Sequence, residues 1–514
     1  MTSVRTVRAG DWLSISARNH PDRDCLVTVH ERFTYLAVNS RVNRLAQALR
    51  AHGIAERDRV ALFATDSHRY METLLASLKL GSTYVPLNFR LAEPELRNLL
   101  QVSQARVLFI SSRYAELVER VRADMPCIEL VVSYEGNGTG DIAFEGLLAT
   151  GDDVEPDGVV NDEDVVGLAF TSGTTGLPKG VLHTQRLTKH LTNQCILERR
   201  LPMPFFHYSA APLYHVAGMA YVYASIAAGS TSLILSEFDP AAVLRWMQSG
   251  EVTGCFLVPT MISALLQHPD VGAGSYDAIH SIAYGAAPIS PSLLRRAMDT
   301  FQCEFMNMFG AGTEAGLQTV LTPEDHHRAL DGHEHLLGSI GKPGIGIDLR
   351  LVDDDLNDVP QGEVGEIVTR ADAVMGGYLG QPEATALAIV DGWFRGGDMA
   401  WEDREGYLYL SGRKNDMIIR GGENIYPIEI ESVLAEVSGI IEVAVIGVQD
   451  SHWGEIVRAH LVLAAGQGFD EDAVRRHCRK RLAAYKVPAE FRVEHELPKN
   501  ESGKILKRVL RLLP

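Results

Sequence analysis

Thr171-Ser172-Gly173-Thr174-Thr175-Gly176-Leu177-Pro178-Lys179-Gly180-Val181 follows directly on the apolar, strand-like run Val165-Val166-Gly167-Leu168-Ala169-Phe170. Glycines let backbone N–H groups close on oxyanions, the hydroxyls of the threonines and Ser172 donate hydrogen bonds, and Lys179 adds a mobile positive charge. The segment therefore reads as a phosphate-handling loop. It is not a Walker A loop, because Leu-Pro-Lys-Gly-Val follows Gly176 where Gly-Lys-Ser/Thr would be required. A nucleotide's phosphates are expected to sit on it within a different fold.

Outward from the loop, short β-rich runs alternate with amphipathic helical patterns. Arg59–Ala64, Tyr84–Pro86 and Val107–Ile110 read as strands, with helices over Tyr70–Lys79 and Glu95–Val102 between them. Such alternation predicts βαβ units and a largely parallel, helix-covered sheet through the first four hundred residues. At 514 residues the chain exceeds one hydrophobic core. Near Gly412-Arg413-Lys414-Asn415-Asp416 the texture changes to a compact α+β stretch, with strands near 443–448 and 459–462 and a helix near 471–482. The expected fold is α/β: a large N-terminal domain of helix-covered sheets over 1–411, a hinge at 412–416, and a small mobile α+β C-terminal domain over 417–514. The uncharged stretch Ala217–Leu235 is long enough for a membrane span, but Gly229-Ser230-Thr231-Ser232 divides it into a buried helix and a short strand.

Hydrophobic residues make up 46% and charged residues 22%, ordinary for a globular chain, and 48 Lys+Arg against 66 Asp+Glu leave a net charge of −18. That balance argues against nucleic acid or an anionic membrane as the main partner. The six cysteines are scattered with no C-x-x-C pair, so neither a disulfide framework nor a zinc site is expected. The first eight residues carry no apolar leader run and the last are no peroxisomal tripeptide. A cytoplasmic location is expected. His326, His327, His333 and His335 match no zinc spacing and read as a mobile surface segment, and Asp353-Asp354-Asp355 reads as a solvated hairpin turn.

The loop resembles the signature of the adenylate-forming superfamily, which holds acyl-CoA synthetases, firefly luciferase and the adenylation domains of peptide synthetases. Further motifs follow in that family's order. Pro212-Leu213-Tyr214-His215-Val216-Ala217-Gly218-Met219 is similar to its substrate-pocket segment, in which His215 would line and gate the acyl site. Tyr284-Gly285-Ala286-Ala287-Pro288 resembles the small-residue turn that sandwiches adenine, implying contacts from Gly285, Ala286 and Ala287. Phe309-Gly310-Ala311-Gly312-Thr313-Glu314 resembles the family's Tyr-Gly-x-Thr-Glu, with one residue more before Thr-Glu. By resemblance Thr313 contacts the α-phosphate and Glu314 holds Mg²⁺, a hard cation suited to carboxylate and phosphate oxygens, with Thr171 beside it. Gly392-Trp393-Phe394-Arg395-Gly396-Gly397-Asp398 is similar to the ribose motif: Asp398 would accept from both ribose hydroxyls, and Gly396 stands where a threonine is usual. Arg413 would be a second ribose and phosphate anchor, and Asn415 takes the place of a charged hinge residue. Leu497–Ile505 resembles the last family motif, whose lysine, here Lys504, bridges the acid's carboxylate and the α-phosphate.

The resemblance implies an acyl-CoA synthetase. It would use ATP with Mg²⁺, held by Thr171, Ser172, Gly173, Thr174, Thr175, Gly176 and Lys179, to form an acyl-AMP. A swing about Asn415 would then bring Gly421 and Gly422 to the site for thioester formation with CoA. Small molecules would be the only substrates, and a homodimer is compatible with this reading. Ten residues follow Lys504, and no fused carrier domain is expected. A separate carrier protein, or luciferase-like oxygenation of the adenylate, are the alternatives. No aspartate stands in the 212–219 segment to pair an α-amino acid's ammonium, which disfavours such substrates. The segments around 205–219, 282–286 and 307–312 show no Arg or Lys at the pocket positions, which disfavours dicarboxylates and favours fatty or other apolar monocarboxylates.

Overall fold

The computed structural model describes residues 6–136, 139–171, 178–287, 289–421, 423–450, 452–464, 466–499 and 505–513. Two large sheets make the body of the molecule. In the first, Ile142–Ala143, Leu130–Ser133, Val107–Ile110, Arg59–Phe63, Thr83–Pro86 and Val165–Phe170 run parallel in that spatial order, and Gly180–Thr184 closes the edge antiparallel to Val165–Phe170. Val107–Ile110 is buried at every position, which is why it reads as an unbroken apolar run rather than an alternating one. The helix His68–Leu80 starts where Ser67 accepts a hydrogen bond from the Tyr70 amide and ends at Gly81, whose φ of 78° lies in the left-handed region.

The second sheet has nine strands. At its centre Thr231–Leu233, Phe206–Ser209, Gly254–Leu257, Ser281–Gly285 and Glu304–Gly312 are parallel neighbours. Helices Gln185–Arg199 and Val216–Ala227 lie between the two sheets. One face of Val216–Ala227, with Met219, Val222, Tyr223 and Ile226, joins the core of the first sheet; the other, with Ala220, Tyr221 and Ala224, joins a core built on the second. A helix buried all round has no use for charge. This accounts for the span-like composition of 217–235, and among the described residues no helix is long and apolar enough to cross a membrane.

The parallel pattern stops earlier than the sequence suggests. Beyond residue 342 a third sheet, Asp348–Val352, Gly365–Arg370, Ile389–Val390, Trp393–Glu402 and Leu408–Arg413, is wholly antiparallel. A fourth sheet carries Ile418–Arg420, Glu423–Ile425, Ile440–Asp450, Gly454–Leu463 and Glu490–Glu494, packed against helices Pro427–Ala435 and Glu471–Arg479 as the small α+β domain.

Two polar segments differ from expectation. His326 is no surface residue: it sits buried in the helix Pro323–Leu330, with Nε2 2.9 Å from the Tyr284 hydroxyl, and burial pulls its pKa down to about 4. Asp353 does cap its turn, accepting from the amides of Asp355 and Asn357 at 2.9 Å. Asp354, however, pairs with Lys414 rather than with solvent alone.

Candidate active site

The phosphate-handling segment joins antiparallel strands Val165–Phe170 and Gly180–Thr184, and its neck is closed by the Thr171 amide donating to the Lys179 carbonyl at 3.1 Å. Ser172, Gly173, Thr174, Thr175 and Gly176 lie outside the described residues, as do Gly422 and Lys504. The Lys179 ammonium stands 4.6 Å from the centre of the Tyr378 ring, a cation–π contact. The Tyr378 hydroxyl is in turn 3.4 Å from Glu314 Oε1. The protein packed around Glu314 pushes its carboxyl up to about 7, against the opposing pull of Arg413, Tyr378 and Lys179. Lys179, Glu314 and Arg413 therefore converge from three parts of the chain.

Thr313 and Glu314 are placed by the hairpin between Glu304–Gly312 and Gly316–Leu321. Its register shifts at Phe309–Gly310 and again at Gly310–Gly312, so the residue added before Thr-Glu is absorbed as bulges. Phe309 packs with Ile340, Leu349 and Leu410 toward the third sheet. The Thr313 carbonyl accepts from His183 Nε2 at 2.8 Å, and burial lowers the His183 pKa to about 4, so that histidine is a neutral prop.

At the end of Ser281–Gly285 the backbone turns sharply. A Cβ on Gly285 would stand 2.3 Å from the Met308 carbonyl oxygen, and Ala286 holds a φ of 65°, a conformation L-residues seldom adopt. Strain of this kind is kept where the surrounding structure imposes it. Ala286 and Ala287, both small, are exposed just beyond the end of the strand.

Asp398 and Arg413 face each other across strands Trp393–Glu402 and Leu408–Arg413. Arg413 runs into the one-turn segment Lys414–Asp416, which contains Asn415. Lys414 Nζ reaches Glu366 Oε2 at 3.4 Å and Arg511 pairs with Asp416 at 2.9 Å, so the residues flanking Asn415 are tied one to the third sheet and one to the C-terminal end. Gly421, with a φ of 60°, donates its amide to the Trp453 carbonyl at 2.8 Å.

His215 caps the helix Val216–Ala227: Nδ1 accepts from the Ala217 amide at 3.2 Å, and burial pulls its pKa down, leaving a neutral ring with its proton on Nε2. The segment before it hangs on Asp66, whose two carboxylate oxygens both lie 3.1 Å from the Leu213 amide. Burial pushes the Asp66 carboxyl up to about 8. Neither Asp66 nor Tyr378 stood out in sequence. Asp66 next to Ser67 looks like part of a helix cap, and nothing local couples Tyr378 to a glutamate 64 residues earlier. No group of three or more His, Cys, Asp or Glu side chains among the described residues could hold a metal, and all six cysteines are free.

A doubly sheeted large domain with these groups at its strand ends, followed by a small α+β domain, defines an adenylate-forming enzyme. The chain belongs to the AMP-binding enzyme family: residues 13–379 match its AMP-binding enzyme model and 429–504 that of the AMP-binding enzyme C-terminal domain. It is 38% identical over 510 residues to a feruloyl-CoA synthase of an Amycolatopsis species, covering 99% of both chains. It is 33% identical to a fatty acid–[acyl-carrier-protein] ligase of Streptomyces coeruleorubidus, over 97% of this chain and 95% of that one. The solved structure of an anthranilate CoA ligase in complex with anthranoyl-AMP superposes with a TM-score of 0.90 at 25% identity, covering 98% of this chain and 97% of the other.

Proposed function

We propose that this chain, an AMP-forming acid–CoA ligase, activates an apolar or aromatic monocarboxylate. The supporting observation is the wall beside His215: Ala211, Val216, Phe256, Ala283 and Met308 form one apolar cluster running to the strand ends at Gly285. The feruloyl and anthranoyl groups named in its relatives are flat and aromatic, which such a wall suits.

In the proposed arrangement the 171–180 loop takes the β- and γ-phosphates, Gly285-Ala286-Ala287 the adenine, Asp398 and Arg413 the ribose, and Thr313 the α-phosphate. A carboxylate oxygen of the acid attacks the α-phosphorus, the bond to pyrophosphate breaks, and acyl-AMP forms. Negative charge grows on the phosphoryl oxygens in this step, and the Lys504 ammonium would stabilise it. Rotation over 412–416, between domains at 1–411 and 417–514, then withdraws Lys504 and brings Gly421 and Gly422 inward. The CoA thiolate attacks the acyl carbonyl, and AMP leaves with the mixed-anhydride electrons. Glu314 and Thr171 would hold Mg²⁺ through hard oxygen donors, and when bound the ion would offset phosphate charge. A cytoplasmic location suits an enzyme that consumes ATP and CoA, and sedimentation at working concentration would decide for or against a homodimer.

Pyrophosphate release with ATP and CoA, measured over ferulate, cinnamate, anthranilate, octanoate and an α-amino acid, tests the reading. Turnover of the aromatic and aliphatic acids with acyl-CoA as product is expected. Transfer only to a carrier protein, as the fatty acid relative's name specifies for that enzyme, would replace CoA as the acceptor.

A further inference from the structure

The last turn of the helix Gln185–Arg199 brings a cation that the pocket segments themselves lack. Arg199 is 4% exposed, and its guanidinium lies 5.1 Å from the centre of the Tyr221 ring. Its Nη2 rests over Gly254, where an added Cβ would stand 2.7 Å away, so a larger residue at 254 would displace the guanidinium. Nη1 is 2.8 Å from His207 Nδ1, which is also 2.8 Å from the Gly254 carbonyl. Whichever of the two His207 serves, Arg199 Nε and Nη2 and His207 Nε2 have no partner. The titratable groups acting on the guanidinium are Tyr221, Cys195 and Cys255, and burial keeps each of them neutral by raising its pKa. Tyr221 itself donates only to the thioether sulfur of Met308, at 3.0 Å, a weak acceptor.

Two guanidinium N–H groups, at Nε and Nη2 of Arg199, therefore lie here without an acceptor, and a buried guanidinium without a counter-charge is costly. Tyr221 belongs to the apolar cluster with Val216, Phe256, Ala283 and Met308, so these donors adjoin the far end of the proposed acyl wall. Along the sheet, Gly254 and Ser281 are register partners, and Ser281 is four residues from Gly285 at the adenine turn, about 13 Å of strand.

We infer that Arg199, with Tyr221 and His207, forms a recognition site for an acceptor oxygen at the far end of the acid: a carbonyl, an ether or a carboxylate. This deepens the ligase reading and rests on it. It also reopens the dicarboxylates that the pocket segments disfavour, since the cation comes from a helix outside those segments.

The test compares kcat/KM for matched acids: octanoate against 7-oxooctanoate and octanedioate, and cinnamate against 4-methoxycinnamate. The acceptor-bearing member of at least one pair should be favoured about 10- to 100-fold, as for hydrogen bonds to a charged donor. Preference for the ketone or ether identifies a neutral acceptor, and preference for octanedioate an anionic one. In Arg199→Met the ratio should collapse to near one. A ratio does not depend on how much of a preparation is folded, and Tyr221→Phe serves as a second variant with a smaller expected fall. Equal kcat/KM within every wild-type pair, or ratios unchanged in both variants, would overturn the inference while leaving the ligase reading intact. Failure of every acid to release pyrophosphate would overturn both.

Discussion

Arg413 Nε donates to Asp398 Oδ1 at 3.0 Å across paired strands, although the two residues are fifteen apart in sequence. Two positions that sequence motifs assign separately to ribose thus form one unit, in which the guanidinium fixes the direction of the carboxylate. Asp398→Ala should raise the KM for ATP by roughly 10- to 100-fold, the loss of hydrogen bonds to a charged acceptor. Arg413→Lys should weaken ATP binding less, because an ammonium keeps the charge but not the planar geometry. Wild-type enzyme that treats ATP and 2′,3′-dideoxy-ATP alike would contradict the ribose assignment.

Glu314 sets a pH dependence. Its carboxyl is raised to about 7 by burial, so acid holds it protonated and unable to serve a cation. Pyrophosphate exchange should therefore rise with pH through about 7 in the free enzyme, and Glu314→Gln should lose about 100-fold or more in kcat/KM with no such rise. The stability sign is the reverse. The folded state holds this proton more tightly than the unfolded chain, so the group's contribution to stability falls as pH climbs from the ordinary carboxyl range near 4.5 to about 7. Glu314→Gln should remove that slope from a denaturation series.

Lys504→Ala should abolish adenylation yet spare thioester formation from pre-made acyl-AMP, because the role proposed for the lysine belongs to one domain orientation alone. Single-turnover measurements of each half-reaction would show it; equal loss in both would count against the two-orientation account.

Asn415→Pro should act in the opposite sense. The proposed hinge residue 415 lies in the turn Lys414–Asp416, whose flanks are anchored by Lys414 to Glu366 and by Asp416 to Arg511. Fixing φ there should preserve pyrophosphate exchange and reduce acyl-CoA formation. Undiminished acyl-CoA formation on the same preparation would place the hinge elsewhere.

Lys79 supports the large domain from within. Its buried ammonium lies 2.7–2.9 Å from oxygens of Ser14, Asn39, Asn43 and Glu155, which share its three N–H donors, joining two N-terminal helices to the 155 segment. Lys79→Met should lower large-domain stability by about 3 kcal/mol, since several acceptors lose their donor together. A denaturant midpoint followed through tryptophan fluorescence would measure it.

The family, the order of motifs and the parallel core were legible in the chain because each depends on neighbours in sequence. The phosphate-loop reading rests on Gly and Thr side by side in 171–180, and a strand buried on both faces, such as Val107–Ile110, must be continuously apolar. Even the uncharged stretch 217–235 resolved correctly, since glycine and β-branched residues break a helix locally. What depends on residues far apart in sequence was decided by tertiary structure alone. Tyr378 reaches between Lys179 and Glu314 because the segment at 376–379 pairs with the strand after the phosphate loop. Asp66 carries the Leu213 amide across 147 residues. Arg199 is a helix-terminal cation by sequence, and only the packing of its helix between two sheets removes it from water and sets it on Tyr221. Local sequence specifies which backbone states and ligands a segment favours, whereas burial and long-range contact specify which charges must find partners, and those emerge only when the sheets close.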